Sequence, residues 1–331
     1  ERQSEELLQY FLSEFENGNV EKSFPLSYFL PVYHCVSDEN LPHLQNIIQY
    51  KNVKQFEQDL DYFLKYFQFV NWREFKDFIK GSFKQKKKIA LLTFDDGLRE
   101  FYDVVLPVLE RKGIYAVNFI NPEFVDNKNL MFRCKASLLV DKIEKKNDIN
   151  PKVFSILKTE ENSISEILKI SYLQQNLLDQ LAEILEIDFN SFLSQQKPYM
   201  TLDQLKSLTE KGFGISSHSW DHPLYHELSI NQQLESCNRT FDYLKQNDFL
   251  YESFAFPFTD FGVEKAFFDQ LFTNPELFCS FGSAGIKLDS IPQNFQRIPF
   301  ETGETAETTL KKEMAYFKLK KIFNKNKIAR R

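Results

Sequence analysis

A chain of 331 residues, 42% hydrophobic and 15% aromatic, has enough apolar mass to bury a large core, which excludes general disorder and suits one domain with an insertion or two small domains. A formal charge of −6 argues against a nucleic-acid partner, whose binding would need a basic face to neutralise phosphates. Cys35, Cys134, Cys237 and Cys279 form no CxxC pair and read as buried free thiols, and no apolar run approaches the roughly 20 residues of a transmembrane segment.

In chain order, short apolar runs alternate with longer amphipathic stretches, the pattern of strands joined by crossover helices in a parallel, helix-covered sheet or barrel. Strands are predicted at 28–33 (YFLPVY), 89–94 (IALLTF), 115–120 (YAVNFI), 214–217 (GISS), 253–256 (SFAF), 277–281 and 295–299. Helices are predicted at 53–67, 98–111, 202–211, 230–246, 263–272 and 307–323. Between 126 and 198 the strand signals stop, and Leu, Ile, Lys, Glu, Asn and Gln recur at helical spacing. This segment reads as a helical insertion between two barrel-forming parts, 1–125 and 199–331. Its Leu173, Leu177, Leu178, Leu181 and Leu185 form an apolar stripe, with core packing as the default reading and partner contact as the lesser one.

The C-terminal LKKEMAYFKLKKIFNKNKIARR mixes basic and apolar residues. It reads first as a solvated last helix and second as a weak contact with an anionic membrane surface. Because the sequence opens on Glu1 rather than Met, an upstream signal peptide is left open. The expected location is cytoplasmic or peripheral to the membrane, with secretion not excluded. Nothing in the sequence speaks to oligomeric state.

Two segments carry chemistry. TFDDG, Thr93 to Gly97, follows an apolar run and precedes a helix, which sets two carboxylates at the C-terminal mouth of a strand, where parallel α/β folds build their sites. Taken alone, Asp-Asp-Gly is ordinary turn chemistry. HSWDH, His218 to His222, again follows a short strand and offers two imidazoles on one side of a turn. Three of the five histidines, His218, His222 and His226, fall within this stretch of nine residues. A mononuclear hydrolytic centre needs three protein ligands and a separate base, so one carboxylate binds the ion and the other stays free to act.

TFDDG followed by H-[ST]-x-x-H resembles the polysaccharide deacetylase family, the NodB-homology carbohydrate esterases. The resemblance implies a distorted (β/α) barrel of about seven strands. It also implies one divalent metal ion, usually zinc, bound by Asp96, His218 and His222, with Asp95 as the base. FAFPFTDFG, Phe254 to Gly262, resembles the family's third motif, and by that match the Phe258 N–H stabilises the oxyanion. Pro257 and Trp220 are expected against the substrate, an N-acetylated glycan from which acetate is released.

Two family features are missing. The third motif often carries an Arg that orients the base, but Phe254 and Ala255 stand there. The role is either empty or taken by another residue such as Arg297 or Lys135. The late L-x-H-D segment that supplies a general acid in many members is also absent, although an amide nitrogen needs a proton as it leaves. His34, at the mouth of the first strand, resembles the Y-H segment of poly-N-acetylglucosamine deacetylases, in which an early histidine takes the acid's place. His34 is therefore the expected acid, with His226 in reserve and His43 read as an exposed loop residue. The rival readings are a glycan- or protein-binding barrel with reduced catalysis, and a metal-dependent amidase on a non-sugar substrate.

Overall fold

The computed structural model describes residues 2–16, 18–146, 150–159 and 164–331. Its main sheet has eight parallel strands: β1 (Pro31–Tyr33), β2 (Leu92–Asp95), β3 (Ala116–Ile120), β4 (Gly214–Ser217), β5 (Ser253–Ala255), β6 (Cys279–Gly282), β7 (Asn294–Gln296) and β8 (Ile298–Pro299). Their spatial order is β7-β6-β5-β4-β3-β2-β1-β8. β3 is buried at every position, the signature of a strand covered on both faces. Only Arg297 separates β7 from β8, yet β7 pairs with β6 while β8 pairs with β1. The Arg297 N–H donates to Gly282 O and the Ile298 N–H to Leu30 O, so successive residues bond to opposite edges of the sheet. The stretch 294–299 thereby draws the edges together into a nearly closed, distorted (β/α) barrel. All seven expected strands are present, and the break at Arg297 makes them eight.

The runs at 28–33 and 89–94 each serve two sheets. Tyr28–Phe29 and Ile89–Ala90 pair with each other, and Gln68–Phe69 completes a separate three-stranded sheet. The helix expected over 98–111 is instead a π-turn, Phe101–Val105, followed by an α-helix, Leu106–Lys112. Pro107 lies at this junction and has no N–H to continue the hydrogen-bond ladder. The four cysteines are buried and free.

Within 126–198 the described residues form helices Phe132–Lys146, Pro151–Leu157, Ile164–Leu168, Asn176–Leu185 and Phe189–Gln196, while 147–149 and 160–163 lie outside the described residues. Leu178, Leu181 and Leu185 of the leucine stripe are buried, Leu177 is half-buried and Leu173 is exposed. The buried ones join a hydrophobic cluster that also takes in Cys35, Leu44 and Leu98 from the barrel's loops. Most of the stripe is thus core, and Leu173 at its start stays exposed.

The basic C-terminal helix, Ala306–Ile322, buries Leu310, Met314 and Phe317. It also packs on Arg2–Glu16, with the Lys318 ammonium 2.7 Å from Glu14 and over the Phe15 ring. It is more than a solvated charge run. Beyond it, Arg330 is buried between Asp260 and Asp289. Among the described residues no helix is long and apolar enough to cross a membrane.

His43 departs from expectation, since it is 3% exposed, packs against Phe192, and leaves both ring nitrogens unpaired. Burial, reinforced by Arg99, lowers its pKa from 6.5 to about 4. The unfolded chain therefore takes up the proton first. As pH falls from the unfolded value toward the folded one, the protein should lose on the order of 3 kcal/mol of stability through this residue. His43→Leu should flatten that part of the stability profile in urea titrations run between these pH values. An unchanged slope would refute the assignment.

Candidate active site

β2 delivers Asp95, and the chain then turns through Asp96 at φ +75° and Gly97 at φ +66°. A side chain at Gly97 would meet Ile120 Cγ2 at 3.2 Å. The turn reading and the functional reading of Asp-Asp-Gly thus hold together, because the turn itself swings Asp96 into the barrel mouth. β4 delivers His218, and its loop is fixed by the Asn121 amide, which donates to His218 O at 2.6 Å and Ser219 O at 3.1 Å. Ser219, His222 and Phe258 also have positive φ, +70°, +65° and +57°. Left-handed geometry at non-glycine residues costs on the order of 1 kcal/mol each and here marks the loops that converge on the pocket.

Asp96, His218 and His222 are buried, and their ligand atoms lie within 4.8 Å of one another. Asp96 Oδ1 is 3.4 Å from His218 Nε2 and 3.1 Å from His222 Nε2. His218 Nδ1 is 2.8 Å from Ala255 O, and a carbonyl only accepts, so Nδ1 carries the proton and Nε2 turns a lone pair toward the carboxylate. Asp96 Oδ1 and His218 Nε2 have no well-formed hydrogen bond despite their burial. Two acceptors facing each other in a dry site repel unless a cation lies between them. The donor set, two imidazoles and a carboxylate, suits a divalent transition ion. Burial works to raise the Asp96 carboxyl, but the His222 and His218 imidazoles set against it outweigh burial and hold it well below the usual carboxylate range.

Asp95 has a different partner. Arg297, wholly buried, grips it with two parallel bonds of 2.7 Å and also reaches Gly282 O and Thr93 Oγ1. Thr93 and Asp95 lie two apart on β2 and so share a face. Burial pushes the Asp95 carboxyl up, but the Arg297 guanidinium, through its charge and its hydrogen bonds, outweighs it and holds the group below its ordinary value. Of the two cations left open by the sequence, Arg297 is the one beside Asp95. Lys135 pairs with Asp179 within the insertion.

His34 lies at the end of β1 with Nδ1 2.5 Å from Glu301 Oε2, while Glu301 Oε1 accepts from the N–H groups of His34 and Cys35. Burial opposes protonation, but Glu301 dominates, with help from Asp96 and Asp95, and raises the imidazole pKa to about 10. Glu301 escaped the sequence reading, although a carboxylate just past the last strand is placed as the other site residues are.

These groups open on a pocket of about 280 Å³, small for a ligand site. His34, Asp95, Asp96, His222, Phe258 and Ser283 line the barrel side, Ile47 and Ile48 the loop after β1, and Met131 and Arg133 the insertion side. The Phe258 ring stands edge-on to His222 at 4.5 Å and its carbonyl accepts from Ser283 Oγ. Among the described residues its N–H meets no protein acceptor. Two expected substrate contacts lie off the wall. The Trp220 indole donates to Glu123 and stacks 3.5 Å beneath the Arg239 guanidinium, and Pro257 is buried behind the loop. His226, the reserve acid, is exposed and also off the wall. The insertion touches the histidine loop through Tyr172, whose hydroxyl donates to Asp221 at 2.6 Å.

A family model described as polysaccharide deacetylase matches residues 83–264, and the chain belongs to that family. A comparison with curated proteins found no match. Among solved structures, the chain is similar to the Streptococcus pyogenes deacetylase PplD in complex with acetate, at 15% identity and TM-score 0.56, over 86% of this chain and 97% of that one. It is similar to IcaB from Ammonifex degensii at 15% identity and TM-score 0.54, over 86% and 97%. It is also similar to a de-N-acetylase from Aggregatibacter actinomycetemcomitans, again at 15% and 0.54, over 86% and 99%. At such identities the likeness shows the NodB-like barrel fold.

Proposed function

We propose that the protein removes N-acetyl groups from amino sugars of a glycan and releases acetate, using one divalent ion, zinc being the first choice, held by Asp96, His218 and His222. The observation that carries this reading is the set of buried ligand atoms turned on one another, with Asp96 Oδ1 and His218 Nε2 left unpaired. A divalent ion there supplies Lewis acidity toward the acetyl carbonyl and a water. Asp95, kept ionised and aimed by Arg297, takes the proton of the attacking water. The free N–H of Phe258 faces the oxyanion that develops. His34, protonated and oriented by Glu301, gives its proton to the departing amine, without which the C–N bond does not break. The Phe258 ring and the apolar Ile47 and Ile48 offer the sugar a nonpolar wall. The insertion, taken as residues 126–198, forms the opposite side.

Incubation with N-acetylglucosamine oligomers tests the proposal. Acetate should appear with the ion-loaded protein, vanish after chelation and return on adding zinc. The ion should also protect against thermal unfolding, by about 2.7 kcal/mol at a hundredfold excess over its dissociation constant. Acetate release indifferent to chelation, or no ion retained, would overturn the metal assignment. A loaded protein that cleaves no acetylated oligomer would overturn the substrate.

A further inference from the structure

The insertion brings one cation to the pocket that the reaction does not use. Arg133, in the first turn of helix Phe132–Lys146, lines the pocket opposite the barrel residues. Its guanidinium donates through Nη1 to Leu168 O and, among the described residues, pairs with no carboxylate. The other charged side chains around the pocket are engaged. Arg297 is matched by Asp95, His34 by Glu301, and Asp96 by the two histidines. A guanidinium carries five N–H donors in a planar fork suited to carboxylate or phosphate oxygens, and the Leu168 carbonyl occupies one of them. It is half-buried, where a charge is costly to leave without a counter-ion. The positive end of the same helix adds to the field on this wall.

Resting on the deacetylase reading above, we propose that Arg133 is a specificity-determining residue that binds an anionic group, carboxylate or phosphate, carried by the glycan close to the acetylated sugar. The acetamido group then lies toward Asp95 and Asp96 while the anion reaches the insertion wall. Neutral oligomers fill the same pocket without this contact.

The test compares kcat/KM on a neutral N-acetylglucosamine oligomer with kcat/KM on oligomers of equal length carrying a lactyl carboxylate or a phosphate monoester. The wild-type enzyme should favour at least one anionic oligomer by tenfold or more, and the preferred anion tells carboxylate from phosphate. Arg133→Gln should bring that ratio to near one, chiefly through KM, and Arg133→Lys should restore part of it. Raising salt should erode the preference of the wild type and leave the ratio of Arg133→Gln unmoved. A wild type with no anionic preference would overturn the proposal, as would an Arg133→Gln ratio that stays high. Should the wild type release acetate from none of these oligomers, the deacetylase reading itself fails, a result distinct from activity without preference.

Discussion

Asp95→Asn should lower acetate release by about 10²–10⁴-fold while the ion stays bound, because the amide keeps the carboxylate's shape but cannot accept the proton of the attacking water. Asp96, His218 and His222 form the proposed ligand cluster without Asp95, so metal stoichiometry measured after desalting should equal that of the wild type. Single-turnover acetate release is the appropriate readout, since slow product release would hide part of the effect. A rate within tenfold of wild type would make Asp95 a bystander. Loss of the ion would make it a ligand.

Arg297→Met should be the most damaging single change to stability. It leaves the Asp95 carboxylate buried with no matched charge, and breaking a buried pair in this way costs about 3–5 kcal/mol. Against a typical total of about 5–15 kcal/mol the variant should still fold, with a lower urea midpoint at unchanged m-value. The pH dependence follows from the sign of the Asp95 shift. Its folded carboxyl is depressed, so its stabilisation is present above the unfolded pKa and is lost as pH falls through the lower, folded value. Without Arg297 that lower limit moves up, and the acid limb of the activity profile moves with it. A destabilisation below about 1 kcal/mol, or an unmoved acid limb, would show that Arg297 does not govern the base.

The parts of the fold legible in the sequence were those with strong local periodicity. Central barrel strands such as those in IALLTF and YAVNFI are marked by apolar runs bounded by turns, and 53–67 and 230–246 by amphipathic spacing. What escaped depended on distant partners. Nothing local in YFLPVY says that its first half joins one sheet and its second half another. The sequence names Arg297 only beside Lys135 as a cation that could orient the base, and nothing around it says that it is the one that meets Asp95, 202 residues earlier. The ligand cluster was legible because short motifs carry it, and those motifs fall inside the segment matched by the family model. Glu301 and Arg297 lie outside that segment, and only folding shows which charges they serve. Trp220, an aromatic within a metal motif, looks like a sugar platform in the sequence, and folding sets Arg239 over its face and Glu123 at its N–H. His43 misled because a histidine amid polar residues looks exposed until the insertion packs over it.

The interruption of the last strand at Arg297 has a kinetic consequence. Bringing residue 297 to residue 95 closes a long loop, and its entropy must be spent before the contact is gained. During folding, or during synthesis from the N-terminus, the DDG turn and both histidines can assemble while the base still lacks its guanidinium and His34 still lacks Glu301. On the deacetylase reading proposed above, competence for turnover would arrive only with the final closing segment. A chain that has acquired its ion-binding loops but not its last strand should bind metal yet remain silent toward substrate.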